Sequence, residues 1–425
     1  MSDERLEAGR ADPTPTDSAP PEDRRSRRPA RWLARLHPLD LVALGLLFVG
    51  LICVLAGALP VEQAGATVGR LVPLLLFLGS VIVLAELTAE AEVFNVVATR
   101  LSILARGHYS LLFLLCVALA AVTTMGLNLD TTAVLLTPVL LALAATLRIA
   151  PLPLAMTTVW LANTASLLLP VSNLTNLLAA DRVALAPAEF AARMWAPQVA
   201  AIVATGVFLW VFYWRRGRRG GDATYLPPAR HRPADAVLFR VAAVACLLFV
   251  AGIVVGVPIG LASAVSAGLL VLAFAVRRRA ALRPGLIPWR LLVFVIGLFL
   301  VVETVNRHGL AGIVGALIGV EDSALGAIRA AGTGAALSNL VNNLPAYVAG
   351  ESVVPTGNHG QLLALLIGTN VGPIITPWAS LATLLWYERC VASGVRVPMV
   401  RFVWTSAGLA VTALAASIGA LLLVG

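Results

Sequence analysis

Lysine is absent from this chain, and all 31 of its basic residues are arginine. Charged residues make up only 12% of the 425, against about 25% in a typical soluble domain, while 59% are hydrophobic, against about 45–50%. That excludes an ordinary soluble enzyme. Cysteine is scarce: Cys53, Cys116, Cys246 and Cys390 lie far apart with no C-x-x-C spacing and read as small buried hydrophobes. The five histidines (His37, His108, His231, His308, His359) fall at the ends of apolar segments or in loops. They build neither a metal-ligand spacing nor a nucleophile triad, which argues against a metalloprotease or an intramembrane hydrolase.

What the chain does have is apolar length. Residues 41–59 form an uncharged run, longer than the apolar region of a signal peptide, and read as a retained first transmembrane helix. Further apolar stretches follow at 71–87, 109–125, 133–147, 151–180, 196–214, 238–256, 258–276, 291–305, 323–337, 360–386 and 402–424. The expected fold is an all-α integral membrane protein. Residues 1–36, rich in Pro, Asp, Glu and Arg without apolar periodicity, read as a disordered cytoplasmic tail.

Two stretches are interrupted by Asn-rich turns at membrane depth. Residues 109–147 break around Asn128, Asp130, Thr131 and Thr132, and residues 323–355 break around Ser338, Asn339, Asn342, Asn343 and Pro345. Non-helical backbone is tolerated there only where protein or a water-filled cavity satisfies it, so each stretch reads as a re-entrant hairpin. Residues 91–101 and 307–320 precede the hairpins as interfacial helices.

The two halves repeat. Phe77 and Glu86 recur as Phe294 and Glu303 at an offset of 217, Asn128 as Asn339 at 211, and Asn163 and Pro170 as Asn370 and Pro377 at 207. Such a drift is what one duplication with small loop deletions leaves. Starting inside and counting both hairpins as non-crossing gives nine crossings, with 26 of the 31 arginines inside. Only Arg70, Arg182, Arg193, Arg307 and Arg329 fall outside, in keeping with the positive-inside rule. The hairpins then enter from opposite sides, as inverted-topology repeats require. The expected organisation is a first repeat at 37–214, a basic cytoplasmic linker at 215–237 and a second repeat at 238–425, in a bacterial cytoplasmic membrane with the N-terminus inside. The arginine surplus thus sets topology and does not mark a nucleic-acid partner.

Chemistry has few places to sit. Three acidic residues fall inside the expected membrane segments: Glu86, Asp130 and Glu303. A mid-membrane carboxylate costs about 2.5–3.5 kcal/mol on insertion scales, so each needs a partner or a function. Asp130, at a hairpin tip, reads either as a coupling-ion or proton site or as a helix N-cap; Glu86 and Glu303 read as interfacial anchors. Two crossings are themselves broken by polar residues. The first break carries Asn163, Ser172, Asn173 and Asn176, and the second Asn370, Thr376 and Ser380. Gly and Pro free backbone groups there, and half-helix ends can bind a small solute or ion without charged side chains. No arginine lies in the breaks, which suits a neutral hydroxyl-bearing solute better than a multiply charged anion.

These segments resemble the ArsB-type arsenite/antimonite efflux permeases of the ion transporter superfamily, which is related to the divalent-anion:sodium symporters. The resemblance rests on the runs Asp130 to Pro138, Asn163 to Asn176, Asn342 to Pro345 and Gly372 to Trp386, and it covers both halves. It implies extrusion of trivalent arsenite or antimonite as a neutral hydroxide in exchange for protons, or with a cytoplasmic ATPase subunit. A proton or sodium ion is the coupling ion and no other cofactor is implied. A small inorganic oxyacid or anion, the lipid bilayer and a second copy of the chain are the other partners considered. Carried over by motif, Asp130, Ser172, Asn173, Asn176, Asn342, Asn343, Thr376 and Ser380 would line the site. The chain departs from the pattern at Asn370, where many arsenite permeases have an acid, and at Ile374, where they have a lysine. The alternatives are ion-coupled transport of a dicarboxylate, citrate or another small anion, and a passive channel.

Overall fold

The computed structural model describes residues 38–183, 185–319 and 321–424, so the tail at 1–36 lies outside the described residues. Every regular element among them is a helix. In the first half these are α1 (Pro38–Leu55), α2 (Val61–Glu90), α3 (Val93–Leu104), α4 (Tyr109–Leu127), α5 (Leu129–Thr146), α6 (Pro151–Thr164), α7 (Leu174–Val183) and α8 (Pro187–Trp214). In the second they are α9 (Ala236–Val255), α10 (Ile259–Arg277), α11 (Trp289–Ile318), α12 (Ala324–Val341), α13 (Asn343–Glu351), α14 (His359–Val371), α15 (Leu381–Ala392) and α16 (Met399–Val424). The starts follow from local chemistry. Pro151 and Pro187 occupy first-turn positions that need no N–H, and the Ser323, Ser380, Asn358 and Asp235 side chains accept from first-turn amides.

Among the described residues eight helices are long and apolar enough to cross a membrane: α2, α4, α5, α8, α9, α10, α11 and α16. The protein is therefore a multi-pass membrane protein. Six of the eight, α2, α8, α9, α10, α11 and α16, fall on crossings expected from the sequence. Both arms of the first hairpin qualify by length, whereas α1 is short and the pairs α6/α7 and α14/α15 are each split by a break.

Burial separates a core from a shell. From Pro153 to Thr164 every residue of α6 is buried, as is every residue of α14 from Gln361 to Val371. A helix apolar all round belongs in the middle of a bundle. Indole donors fasten α6 to three neighbours: Trp160 donates to Ser406 (2.9 Å), Trp214 to Thr157 (3.0 Å) and Trp386 to the Ala155 carbonyl (2.8 Å). Small residues allow the closest crossings. A Cβ on Gly368 of α14 would sit 2.2 Å from the Ala331 carbonyl oxygen of α12, and one on Gly297 of α11 would sit 2.3 Å from the Leu47 amide of α1.

Ion pairs join one end of the shell. Asp40 pairs with Arg290 (2.5 Å), Glu90 with Arg278 (3.0 Å), Asp235 with Arg277 (2.8 Å) and Glu92 with His231 (2.6 Å). The starts of α1, α9 and α11 and the ends of α2 and α10 thus share a face. Tyr225 closes over the same region, donating to the Ser102 carbonyl (2.6 Å), and burial pushes its hydroxyl up to about 12. At the opposite face Arg307 donates to Gln63.

Candidate substrate and ion site

Each hairpin turns on one asparagine in a conformation that normally demands glycine. Asn128 has φ 121° and ψ 153°, and Asn342 has φ 131° and ψ 156°. Both side-chain oxygens accept from the amide two residues on, Asp130 at 2.7 Å and Leu344 at 3.3 Å. Both backbone amides close the incoming helix, on Thr124 and Ser338. Asn128 therefore corresponds to Asn342, 214 residues on, and not to Asn339 as the spacing of polar residues suggested. Backbone strain of this kind costs about 1–3 kcal/mol per residue and persists where the surroundings over-determine it.

The tips differ in how well they are satisfied. At the second, Asn342 donates to the Trp378 carbonyl (2.9 Å) and the Asn343 amide to Ala379 (2.8 Å). Asn339 caps the second break: its oxygen accepts from the Ile375 and Thr376 amides (3.2 and 3.1 Å), and its nitrogen donates to Gly372 (2.9 Å). Thr376 donates back to the Asn339 carbonyl (3.0 Å), and Ser338 bonds within its own helix. At the first tip, Thr132 donates to the Asn128 carbonyl (3.1 Å) and Ser172 reaches across to the Met125 carbonyl (3.1 Å). The Asn128 amide nitrogen, one Asp130 carboxylate oxygen and the Thr131 hydroxyl are buried without a protein partner.

The two breaks interlock. Asn370 accepts from Asn173 (3.0 Å) and Thr175 (2.6 Å) and donates to Asn176 (2.5 Å). Asn163 donates to Thr383 (3.3 Å), which bonds Ser380 (2.9 Å). Thr383 stands 207 residues after Asn176, the same offset that relates Asn370 to Asn163, so each break's first half-helix bonds the second half-helix of the other. The loop of the first break hangs on a residue that the sequence reading did not single out. Gln198 of α8, 2% exposed, accepts from the Leu167 and Leu168 amides (2.7 and 3.1 Å) and donates to the Thr164 carbonyl (3.2 Å). Asn176 completes the loop through the Ser166 and Leu169 carbonyls (2.6 and 2.9 Å).

A cavity of 1130 Å³ lies between the shell and this core, and Asp130, Thr131 and Asn342 all line it. Both hairpin tips thus open on one chamber. Its remaining wall is mostly apolar, from α1, α2, α11, α13 and α15. Glu86, expected as an interfacial anchor, also lines it, and so do Glu388 and Arg389. Arg389 stands beside the chamber although no arginine lies in the breaks themselves. With Arg290 committed to Asp40, however, three carboxylates face one remaining guanidinium, so the chamber is not cationic. Among the described residues no cluster of His, Cys, Asp and Glu could hold a metal ion.

Known proteins place this architecture. The model of the citrate transporter family matches residues 31–368. Two Escherichia coli proteins named arsenical pump membrane protein are 34% and 33% identical over 72% of this chain and 76% of their own length, and a Yersinia enterocolitica protein of the same name is 34% identical over the same shares. The chain belongs to the arsenical pump membrane protein family. It is accordingly a membrane transporter of the ArsB type and not an enzyme. The Alcanivorax borkumensis YdaH transporter, described as having an unusual topology, shares the fold at a TM-score of 0.53 and 13% identity, over 90% of this chain and 96% of its own.

Proposed function

We propose that this ArsB-type transporter extrudes arsenite or antimonite as the neutral hydroxide, in exchange for protons, by alternating access. The observation that carries the reading is the trio of unpartnered groups on the first tip. An amide donor, a carboxylate oxygen and a hydroxyl from Asn128, Asp130 and Thr131, the last two of which line the chamber, offer partners for the hydroxyls of a trihydroxy oxyacid. Asp130 is the proton-bearing group of this trio, and the strained backbone at both tips holds it in place.

Burial of both tips supports re-entrant hairpins, because a turn that had crossed the bilayer would lie in water. The face shared by the ion-paired ends of α1, α2, α9, α10 and α11 supports a cytoplasmic N-terminus, since the arginine count puts all of those ends inside. On this topology the repeats are inverted and the proton gradient supplies the energy without an ATPase. Labelling of single cysteines with an impermeant maleimide checks the orientation.

The test is arsenite uptake by everted vesicles. Uptake should saturate and collapse with the proton gradient, and an imposed potential should alter it because a neutral solute exchanged for H⁺ moves charge. Asp130→Asn should abolish the gradient dependence. Non-saturable flux indifferent to the gradient would sink antiport. The citrate transporter match and Arg389 support a second reading, coupled transport of citrate or another anion, which citrate accumulation in the same vesicles would establish.

A further inference from the structure

The sequence offers three acidic residues inside expected membrane segments, and the structure adds one buried beyond them. Glu351, the last residue of α13, is 6% exposed. One turn earlier, at the i−4 position of the same helix face, Tyr347 is fully buried with its hydroxyl unpartnered. α7 packs against α13, and its Arg182 carries a buried Nε that is also unpartnered. The charges acting most strongly on the Glu351 carboxylate are Arg70 of α2 with Arg182 and Asp181 of α7. The titratable groups on the other elements packed against α13 are Arg290, Glu303, Arg307 and His308 of α11, Arg329 of α12 and His359 of α14. A buried carboxyl group, a buried tyrosine hydroxyl and a buried guanidinium Nε, the last two without a partner, lie on two packed helices and act on one another, a cluster that the fold alone does not account for.

We infer that Glu351, with Tyr347 and Arg182, is a proton-exchange station at the C-terminal end of α13, just past the stretch of that helix that lines the transport chamber. The inference rests on the proton-coupled reading above and extends it to a second site. Asn342 at the start of α13 and Pro345, Ala346 and Ala349 within it line the chamber, so the lining face of this helix ends two residues, about 3 Å of rise, before Glu351. In one state water at this face gives a proton to the carboxylate, which becomes a neutral acid suited to its burial without a counter-charge. In the other the proton leaves to water on the chamber side, and Arg182 stands by as counter-ion to the carboxylate. No other bond forms or breaks. Tyr347, donor and acceptor at once, bridges the carboxyl group and water.

The test uses the full chain in proteoliposomes and two transport readouts of the solute that the wild type accumulates, arsenite or citrate. Glu351→Gln should keep solute counterflow, which moves no net proton, within about twofold, and should cut gradient-driven accumulation by about tenfold or more. Glu351→Asp should restore accumulation, and Tyr347→Phe should shift its pH profile. A Glu351→Gln protein that accumulates solute like the wild type with an unchanged pH profile overturns the inference while leaving antiport standing. If the wild type itself ignores the gradient, coupling fails as a whole, and infrared difference spectra decide the station separately. A protonated-carboxyl band that titrates in the wild type and disappears in Glu351→Gln upholds it, and the absence of such a band refutes it. Should Glu351→Gln fail to insert, the Asp and Phe variants carry the same comparison.

Discussion

The Asn370 amide nitrogen lies 2.5 Å from the Asn176 side-chain oxygen, so the first half-helix of one break is bonded to the second half-helix of the other. Three hydrogen bonds converge on Asn370, whereas Asn163, its counterpart, makes two, one of them to its own helix at Val159. Asn370→Ala strands two donors and an acceptor and should destabilise the protein by about 2–4 kcal/mol; Asn163→Ala should cost about 1 kcal/mol. Thermal unfolding in detergent measures both. Equal losses would mean that the network is not centred on Asn370.

Gln198 holds the first break open by satisfying three backbone groups that no helix reaches. Gln198→Leu keeps the bulk but leaves the Thr164, Leu167 and Leu168 groups unpaired, at a cost of about 2–5 kcal/mol. Gln198→Glu is nearly isosteric when protonated, and only then can it donate to Thr164 and accept from the two amides. The Tm of the Glu variant should therefore climb towards that of the wild type as pH falls, while the Leu variant stays low. A Glu variant with no pH response would show that the bond to Thr164 is dispensable.

How much of this was legible follows from what each feature leaves in a sequence. Long apolar helices leave composition, and the breaks leave an Asn and a Pro each repeated at the same 207 spacing, so both were readable. The second tip lies among three asparagines, and which one turns the chain is a matter of φ; side-chain chemistry could not separate Asn339 from Asn342. Gln198 serves backbone amides, which have no residue signature, although a lone glutamine in an apolar span already demands a partner. Glu351 runs into a Pro-Thr-Gly-Asn loop and reads as exposed until packing against α7 and α13's own buried face is seen.

Asp235 offers a check at the membrane edge. It caps α9 through the Val237 and Leu238 amides (2.8 and 3.1 Å) and pairs with Arg277, whose hydrogen bond and charge, together with the capping amides, hold its carboxyl below the usual value. Because the folded-state value is the depressed one, the stabilisation is complete above the ordinary carboxylate range and is lost as pH falls through the depressed value. Asp235→Asn keeps the cap but not the ion pair. The Tm gap between wild type and variant should close on acidification, and a gap constant with pH would show that Arg277 adds nothing.

The last prediction tests the equivalence of the two breaks. Thr175 supplies Asn370 with a hydroxyl at 2.6 Å, but 207 residues on stands Ala382, and the Asn163 oxygen is left buried and unpartnered. If the halves are superimposable here, Ala382→Ser places a donor against that oxygen and is worth about 0.6–1 kcal/mol, a rise of a degree or two in Tm. Ala382 is fully buried, so added volume works against the gain. Ala382→Val separates the terms, because it adds bulk without a donor and should lower Tm. Should serine and valine lower it equally, the oxygen of Asn163 is out of reach of position 382 and the symmetry of the interlock stops short of this pair.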